Sequence, residues 1–174
     1  MTEQIIVSLV LGIISSIIAS IVFIKFFLGS KRPKIEISKY ISKVEKDGNT
    51  LYYFKFVNKT KSEIYDVNIE CTFHKPVGDF GGKNLRSTDV KLSDHFCAYV
   101  ASSNPSDDNN LHAIRIKTEE DILSKWDDSS SFIRLTIIAK HSLSGFNKVF
   151  TEDFNSKDCI TDKKFQSGDN LDVK

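Results

Sequence analysis

The chain of 174 residues is 40% hydrophobic and 27% charged, with a formal net charge of +1. This near-neutral balance, with no basic stretch interleaved with aromatics, lacks the signature of a nucleic-acid partner, and none is expected. Cys71, Cys97 and Cys159 are odd in number and widely spaced, without C-x-x-C, which fits free thiols in a reducing compartment.

Ile5 to Leu28 reads IIVSLVLGIISSIIASIVFIKFFL, with Lys25 as its only charge. A bilayer core needs roughly 20 apolar helical residues, and Ile5 to Ile24 supplies them. Lys25 then snorkels towards the headgroups, with Phe26, Phe27 and Leu28 at the interface. The segment predicts one transmembrane helix over 5–28, behind a short extracytoplasmic N-terminus over 1–4. Glu3 precedes the helix, whereas Lys25, Lys31, Arg32 and Lys34 lie at or beyond its end. The positive-inside rule therefore predicts a single-pass protein of the cell membrane with everything after residue 30 in the cytoplasm. A cleaved signal peptide would need a basic start, a shorter apolar core and an Ala-x-Ala-like exit, and the sequence has none of these.

Small residues are patterned along this helix. At ~100° per residue, Ser8, Gly12, Ser15 and Ala19 fall on a narrow stripe, and Ser16 and Ser20 widen one side. Such a stripe lets backbones approach while Ile, Leu, Val and Phe face lipid. It predicts a helix–helix interface and hence a homo-oligomer.

Gly29, Ser30 and Pro33 end the helix and leave a basic linker over 29–34. Ile35, Ile37 and Ile41 alternate with polar residues, as in a half-buried strand. Asp47-Gly48 marks a turn before the aromatic run Leu51 to Val57. In the next strand Tyr65, Val67, Ile69, Cys71 and Phe73 are expected on one face. Pro76 to Gly82 reads as a loop, and its Asp79-Phe80-Gly81 lacks the accompanying kinase motifs. Asp89 to Leu92, Phe96 to Ala101 and Leu111 to Lys117 read as short strands. Thr118 to Trp126 begins with T-x-x-D and predicts one or two helical turns. Phe132 to His141 and Phe146 to Phe154 form the strongest hairpin candidate, and Cys159-Ile160 a last short strand. The pattern predicts an all-β fold, an antiparallel β-sandwich over 35–161, followed by a polar tail over 162–174.

The order of motifs resembles the cytoplasmic immunoglobulin-like domain of inward-rectifier potassium channels. Arg32-Pro33-Lys34, Asp47-Gly48 and Leu51 to Asn58 fall in the family's order: basic linker, turn, then a strand leading into a central Asn. Glu63 to Glu70, Asp89 to Leu92, Thr118 to Ile122, the Phe132 to Phe154 hairpin and Asp158 to Phe165 match later features, so the resemblance spans about 32–165. It implies an immunoglobulin-like sandwich, a tetramer, and anionic-lipid contact at Arg32 and Lys34. The chain departs from the family in having one membrane helix and no T-x-G-[YF]-G filter, so it is not a conventional potassium channel.

The sequence carries no constellation of catalytic or metal-binding residues. His74, His95, His112 and His141 lack H-x-x-x-H or H-x-H spacing, so no metal is expected. Cys97 near His95 has no orienting third group, and a buried strand thiol is the better reading. Glu119, Glu120 and Asp121 suit a helix N-terminus. Asp107-Asp108 and Asp127-Asp128 lack an EF-hand pattern, and there is no P-loop or dinucleotide fingerprint. Neither enzymatic activity nor a cofactor is expected. Lys25, Lys31, Arg32 and Lys34 form the expected contact with anionic lipid, where each juxtamembrane cation gains about 1 kcal/mol. Two mechanisms follow. In one, the helix anchors a domain that binds a cytoplasmic protein or small molecule. In the other, an oligomeric pore or membrane-disrupting assembly is gated by the domain. No ionisable residue lies mid-helix, which favours the anchor.

Overall fold

The computed structural model describes residues 2–28, 32–78, 84–104, 106, 108–126, 130–142 and 144–174. Its first element, α1 (Thr2–Val22), runs on as a π-helical segment over Phe23–Leu28. Thr2–Phe27 is long and apolar enough to cross a membrane, with a mean hydropathy of 2.8 over its most apolar window. None of that window is buried. Helix begins ahead of Ile5 because Thr2, Glu3 and Gln4 add a polar first turn, with Glu3 at the positive end of the dipole. In the π-segment, i→i+5 bonding brings residues four apart closer to eclipsed, and the Phe23 and Phe27 rings stack at 4.9 Å.

The rest of the chain is mostly strand: β1 (Ile35–Ile37), β2 (Ile41–Lys46), β3 (Asn49–Asn58), β4 (Ile64–Val77), β5 (Asn84–Asp89), β6 (Phe96–Val100), β7 (Ala113–Thr118), β8 (Phe132–His141), β9 (Asn147–Phe154) and β10 (Ile160–Thr161). A short helix, α2 (Ile122–Lys125), precedes β8, and a 3-10 turn over Lys157–Cys159 precedes β10. The strands form two five-stranded sheets. In the first, β3 is central: β7 lies along one side, and β1 and β2 share the other. Pairing is antiparallel except that β10 joins β2 in parallel. In the second, β4 pairs with β8 on one side, with β5 and β6 sharing the other, and β9 closes the order beyond β8.

Alternation aims one set of side chains from each sheet into a common core. Tyr52, Phe54 and Phe56 of β3 join Ile69, Cys71 and Phe73 of β4 and Leu135 and Ile137 of β8 in it. Phe54 packs on Phe154 with centroids 5.7 Å apart. Trp126 lies edge-on to Phe73 at 6.2 Å, and its indole N–H is satisfied by the Ser131 carbonyl at 3.1 Å. Among the described residues, none before Ile35 belongs to this core.

Several expectations need correction. Tyr65 does not share the face of Val67, Ile69, Cys71 and Phe73. A bulge between Tyr65 and Asn68, with Asp66 at φ 50°, shifts the period. Ile64 is buried in its place, and Tyr65 turns outwards against Tyr99 at 5.6 Å. The strand expected over Asp89 to Leu92 is displaced to Asn84–Asp89, whose six residues are all exposed and so carry no hydrophobic period. Thr118 does not cap α2; Asp121 does, accepting from the Ser124 N–H at 3.2 Å. Thr118 is instead buried, donating to the Lys91 carbonyl at 2.7 Å. Ile35 to Ile41 is broken at Ser38–Tyr40 into β1 and β2. Gly29, Ser30, Asp79 to Gly82, Asp107, Asp127 and Asp128 lie outside the described residues.

The largest correction concerns the tail. Residues 162–174 fold back onto the first sheet as a strap. Lys164 and Lys174 exchange main-chain hydrogen bonds at 2.8 and 3.0 Å, and Phe165 beside them is buried. The strap explains why Lys55 is buried, although it alternates with the core-facing Phe54 and Phe56.

Candidate functional site

The expected lipid-contact residues divide between two elements. Lys25 belongs to the π-helical segment. Arg32 and Lys34 are exposed. The Lys34 main chain is fixed to the domain, its N–H donating to Thr60 Oγ1 at 2.8 Å and its carbonyl accepting from the Lys59 N–H at 2.8 Å. Its side chain is thus presented from an anchored backbone. Lys31 lies outside the described residues.

Ser8, Gly12, Ser15, Ser16, Ala19 and Ser20 are all exposed along α1. A Cβ added to Gly12 would meet nothing within 4 Å. Ser20 bonds its own helix, Oγ donating to the Ser16 carbonyl at 2.8 Å, which satisfies a hydroxyl that lipid could not. The stripe has no partner within the described chain.

Asn58, at the end of β3, is fully buried. Its Nδ2 donates to the carbonyls of Ala101 (2.7 Å) and Ser62 (3.2 Å), and its Oδ1 accepts from the Thr60 N–H at 2.9 Å. The Asn58-Lys59-Thr60 sequon is therefore a structural knot with its amide already committed.

Lys55 is the residue that sequence reasoning missed. It is 1% exposed, and its ammonium donates to the carbonyls of Gln166 (2.7 Å), Gly168 (2.7 Å) and Asn170 (2.6 Å). An ammonium has three donors, and the strap meets all of them. Burial, with the nearby Arg115 charge, lowers its pKa to about 8. Asp169, within the same turn of the strap, pairs with Lys59 at 3.1 Å and with buried His112. A lone Lys inside the aromatic run Leu51 to Val57 was the available signal, since buried ammonium groups need partners.

The thiols and imidazoles have structural surroundings. Burial, with the Glu120 charge, pushes the Cys71 thiol up to about 12. Cys97, expected to be buried, is only half-buried, and burial and then Asp94 raise its thiol as well. Both thiols thus favour the protonated form, the weaker nucleophile. His74 stacks on Phe132 at 4.7 Å, and His141 meets Ser62 Oγ through Nε2 at 2.8 Å. Among the described residues, no three or more His, Cys, Asp or Glu side chains converge to hold a metal.

A cleft of about 560 Å³ lies where β1 and β9 approach each other. Ile35, Ile37 and Phe150 line it together with Leu171 of the strap, and Glu36, Glu152 and Asp172 face it with a single cation, Lys39. Burial pushes the Glu152 carboxyl up, with Lys39 acting against it. The site thus joins an anionic, partly apolar cleft to a domain that follows an exposed apolar helix. No protein-family model matches the chain, and no curated protein matches it.

Proposed function

We propose that the protein is a non-enzymatic, single-pass membrane protein whose cytoplasmic domain is a binding or sensing module. The observation that carries this reading is the contrast between its two parts. Thr2–Phe27 is apolar and unburied, whereas the core begins at Ile35 and is complete without it. A helix that is hydrophobic and finds no protein partner needs another apolar solvent, and a bilayer supplies one. The two sheets sharing one core support an immunoglobulin-like sandwich, in line with the resemblance to inward-rectifier cytoplasmic domains. The exposed Ser8, Gly12, Ser15 and Ala19 stripe supports self-association. Arg32 and Lys34, with Lys25 and Lys31, hold the domain against anionic headgroups.

Alkaline carbonate extraction tests this reading. The full chain should stay with the membrane pellet, and a chain lacking residues 1–28 should be soluble with its β-rich circular dichroism intact. Release of the full chain by carbonate would sink the proposal.

A further inference from the structure

The free edges of the two sheets meet at the cleft between β1 and β9. Along an antiparallel ladder, successive residues turn their main-chain N–H and C=O alternately towards the partner and away from it. The Ser38 N–H donates to the Lys55 carbonyl at 2.9 Å, and the Lys59 N–H to the Lys34 carbonyl at 2.8 Å. In the register Ile35↔Asn58 to Ile37↔Phe56, this turns Glu36 towards β3 and Ile35 and Ile37 away from it. On the other sheet, the His141 N–H donates to the Phe146 carbonyl at 3.0 Å. Carried along the unbroken β8–β9 register, that bond turns Val149, Thr151 and Asp153 away from β8. Among the described residues, none of these outward main-chain groups has a strand partner.

Exposed edges are usually blunted by Pro, by a bulge or by cover. β9 has no Pro, and its register shows no bulge. Thr151, central among its outward-facing residues, lines the cleft with Ile35, Phe150 and Leu171, where Glu36, Glu152 and Asp172 outnumber Lys39. Among the described residues, the Glu152 carboxylate has no ion-pair partner. Unpaired ladder groups select an extended backbone, apolar walls select alternate apolar side chains, and the carboxylates select cations.

We propose that this cleft binds an extended, cationic segment of a partner polypeptide, which adds a strand to β9 through the main chain of Val149, Thr151 and Asp153. The inference rests on the reading of the domain as a membrane-held binding module and names its class of partner. Apolar side chains of the segment pack against Ile35, Phe150 and Leu171, and its Lys or Arg side chains meet Glu36, Glu152 and Asp172.

The test uses the full chain in nanodiscs of phosphatidylcholine and phosphatidylserine, panned against a random dodecapeptide library displayed on phage. Recovered peptides should alternate apolar residues with Lys or Arg. A synthetic copy should slow amide exchange at Val149, Thr151 and Asp153. Thr151→Pro removes an outward N–H and leaves the β8 ladder intact, so it should weaken binding by about tenfold or more, a loss of ~1.4 kcal/mol. Glu152→Gln, which leaves the backbone untouched, should weaken binding several-fold. Failure to enrich any peptide over empty nanodiscs would overturn the proposal. So would peptides that bind folded Thr151→Pro as tightly as the parent, or that leave the three amides unprotected. If Thr151→Pro does not fold, the exchange pattern of the parent protein and the Glu152→Gln affinity decide. Failure of the chain to enter nanodiscs counts against the membrane reading alone, since peptide binding can also be measured on chain kept in detergent.

Discussion

The Lys55 ammonium donates to the Asn170 carbonyl across 2.6 Å, tying the end of the chain to the central strand of the first sheet. Lys55 is buried and its two other donors are met by Gln166 and Gly168, so the strap is held by charge-assisted bonds. Lys55→Met keeps the stem and removes the ammonium, leaving the Gly168 and Asn170 carbonyls without their donor while the Gln166 carbonyl keeps its bond from Arg115 at 3.0 Å. The expected loss is about 2 kcal/mol, from buried acceptors left unsatisfied. Limited proteolysis should then cleave within 164–174 ahead of the two sheets. A strap that stays protected in Lys55→Met would show that Phe165 and the bonds from Ser38, Ser42 and Arg115 hold it without the ammonium.

Acid should loosen the same strap. Burial pushes the Asp169 carboxyl up, but hydrogen bonds from Lys59 and His112 outweigh it and hold it below the ordinary carboxylate value. The hydrogen bond from Arg134 holds Asp153 down in the same direction. Between these lowered values and about 3.9, the native state binds fewer protons than the unfolded chain. The stabilisation is therefore fully present above about pH 5 and is lost as pH falls through the folded pKa values. Protection factors across 164–174, taken relative to the intrinsic exchange rate at each pH from 6 to 3, should fall in the acid limb. Asp169→Asn should be less protected already at pH 6 and show a shallower acid dependence.

The helix stripe makes a separate prediction. A Cβ added at Gly12 meets nothing within 4 Å, and α1 has no partner among the described residues, so a clash within the monomer is not the expected effect of Gly12→Leu. Any loss of association must come from a neighbouring copy. Gly12→Leu should weaken crosslinking in membranes through lost packing on the ~1–2 kcal/mol scale of interhelical contacts. Ile17→Ala, on the opposite side of α1, should leave it unchanged. Equal crosslinking in the two variants would remove the case for this interface.

The basic cluster is tested on liposomes. Replacing Lys31, Arg32 and Lys34 together with Gln should cost about 1 kcal/mol per residue of binding to anionic bilayers and flatten the salt dependence. Lys34→Gln should leave the domain intact, because Thr60 and Lys59 hold the Lys34 main chain rather than its ammonium. Equal binding of parent and triple variant to anionic and neutral vesicles would leave these residues a topological role only.

Much of the fold was legible wherever burial imposes a period. The alternation from Val67 to Phe73 and the hairpin from Phe132 to Phe154 each follow from which face meets the core, whereas α1 was legible from its unbroken apolar length. β5 was misplaced because all of its residues are exposed, so nothing in its pattern distinguishes inside from outside. Tyr65 was misassigned because one positive-φ residue, Asp66, resets the alternation, and no Gly marks the spot. The strap was unreadable for a different reason. Its hold on Lys55 uses main-chain carbonyls, which every residue carries, so the polar side chains of 166–174 give no sign of it. The cleft was likewise hidden, since it depends on which strands end each sheet.

The most direct test of the membrane reading is thiol labelling on both sides of the bilayer. In a Cys97→Ser, Cys159→Ser background, where Cys71 is the buried thiol that remains, a cysteine is placed at Thr2 or at Lys174. A membrane-impermeant maleimide is then applied to intact cells. Thr2→Cys should be labelled at once and Lys174→Cys only after permeabilisation. Labelling of Lys174→Cys in intact cells, with Thr2→Cys protected, would contradict the orientation. Protection of both positions until permeabilisation would contradict the spanning helix itself.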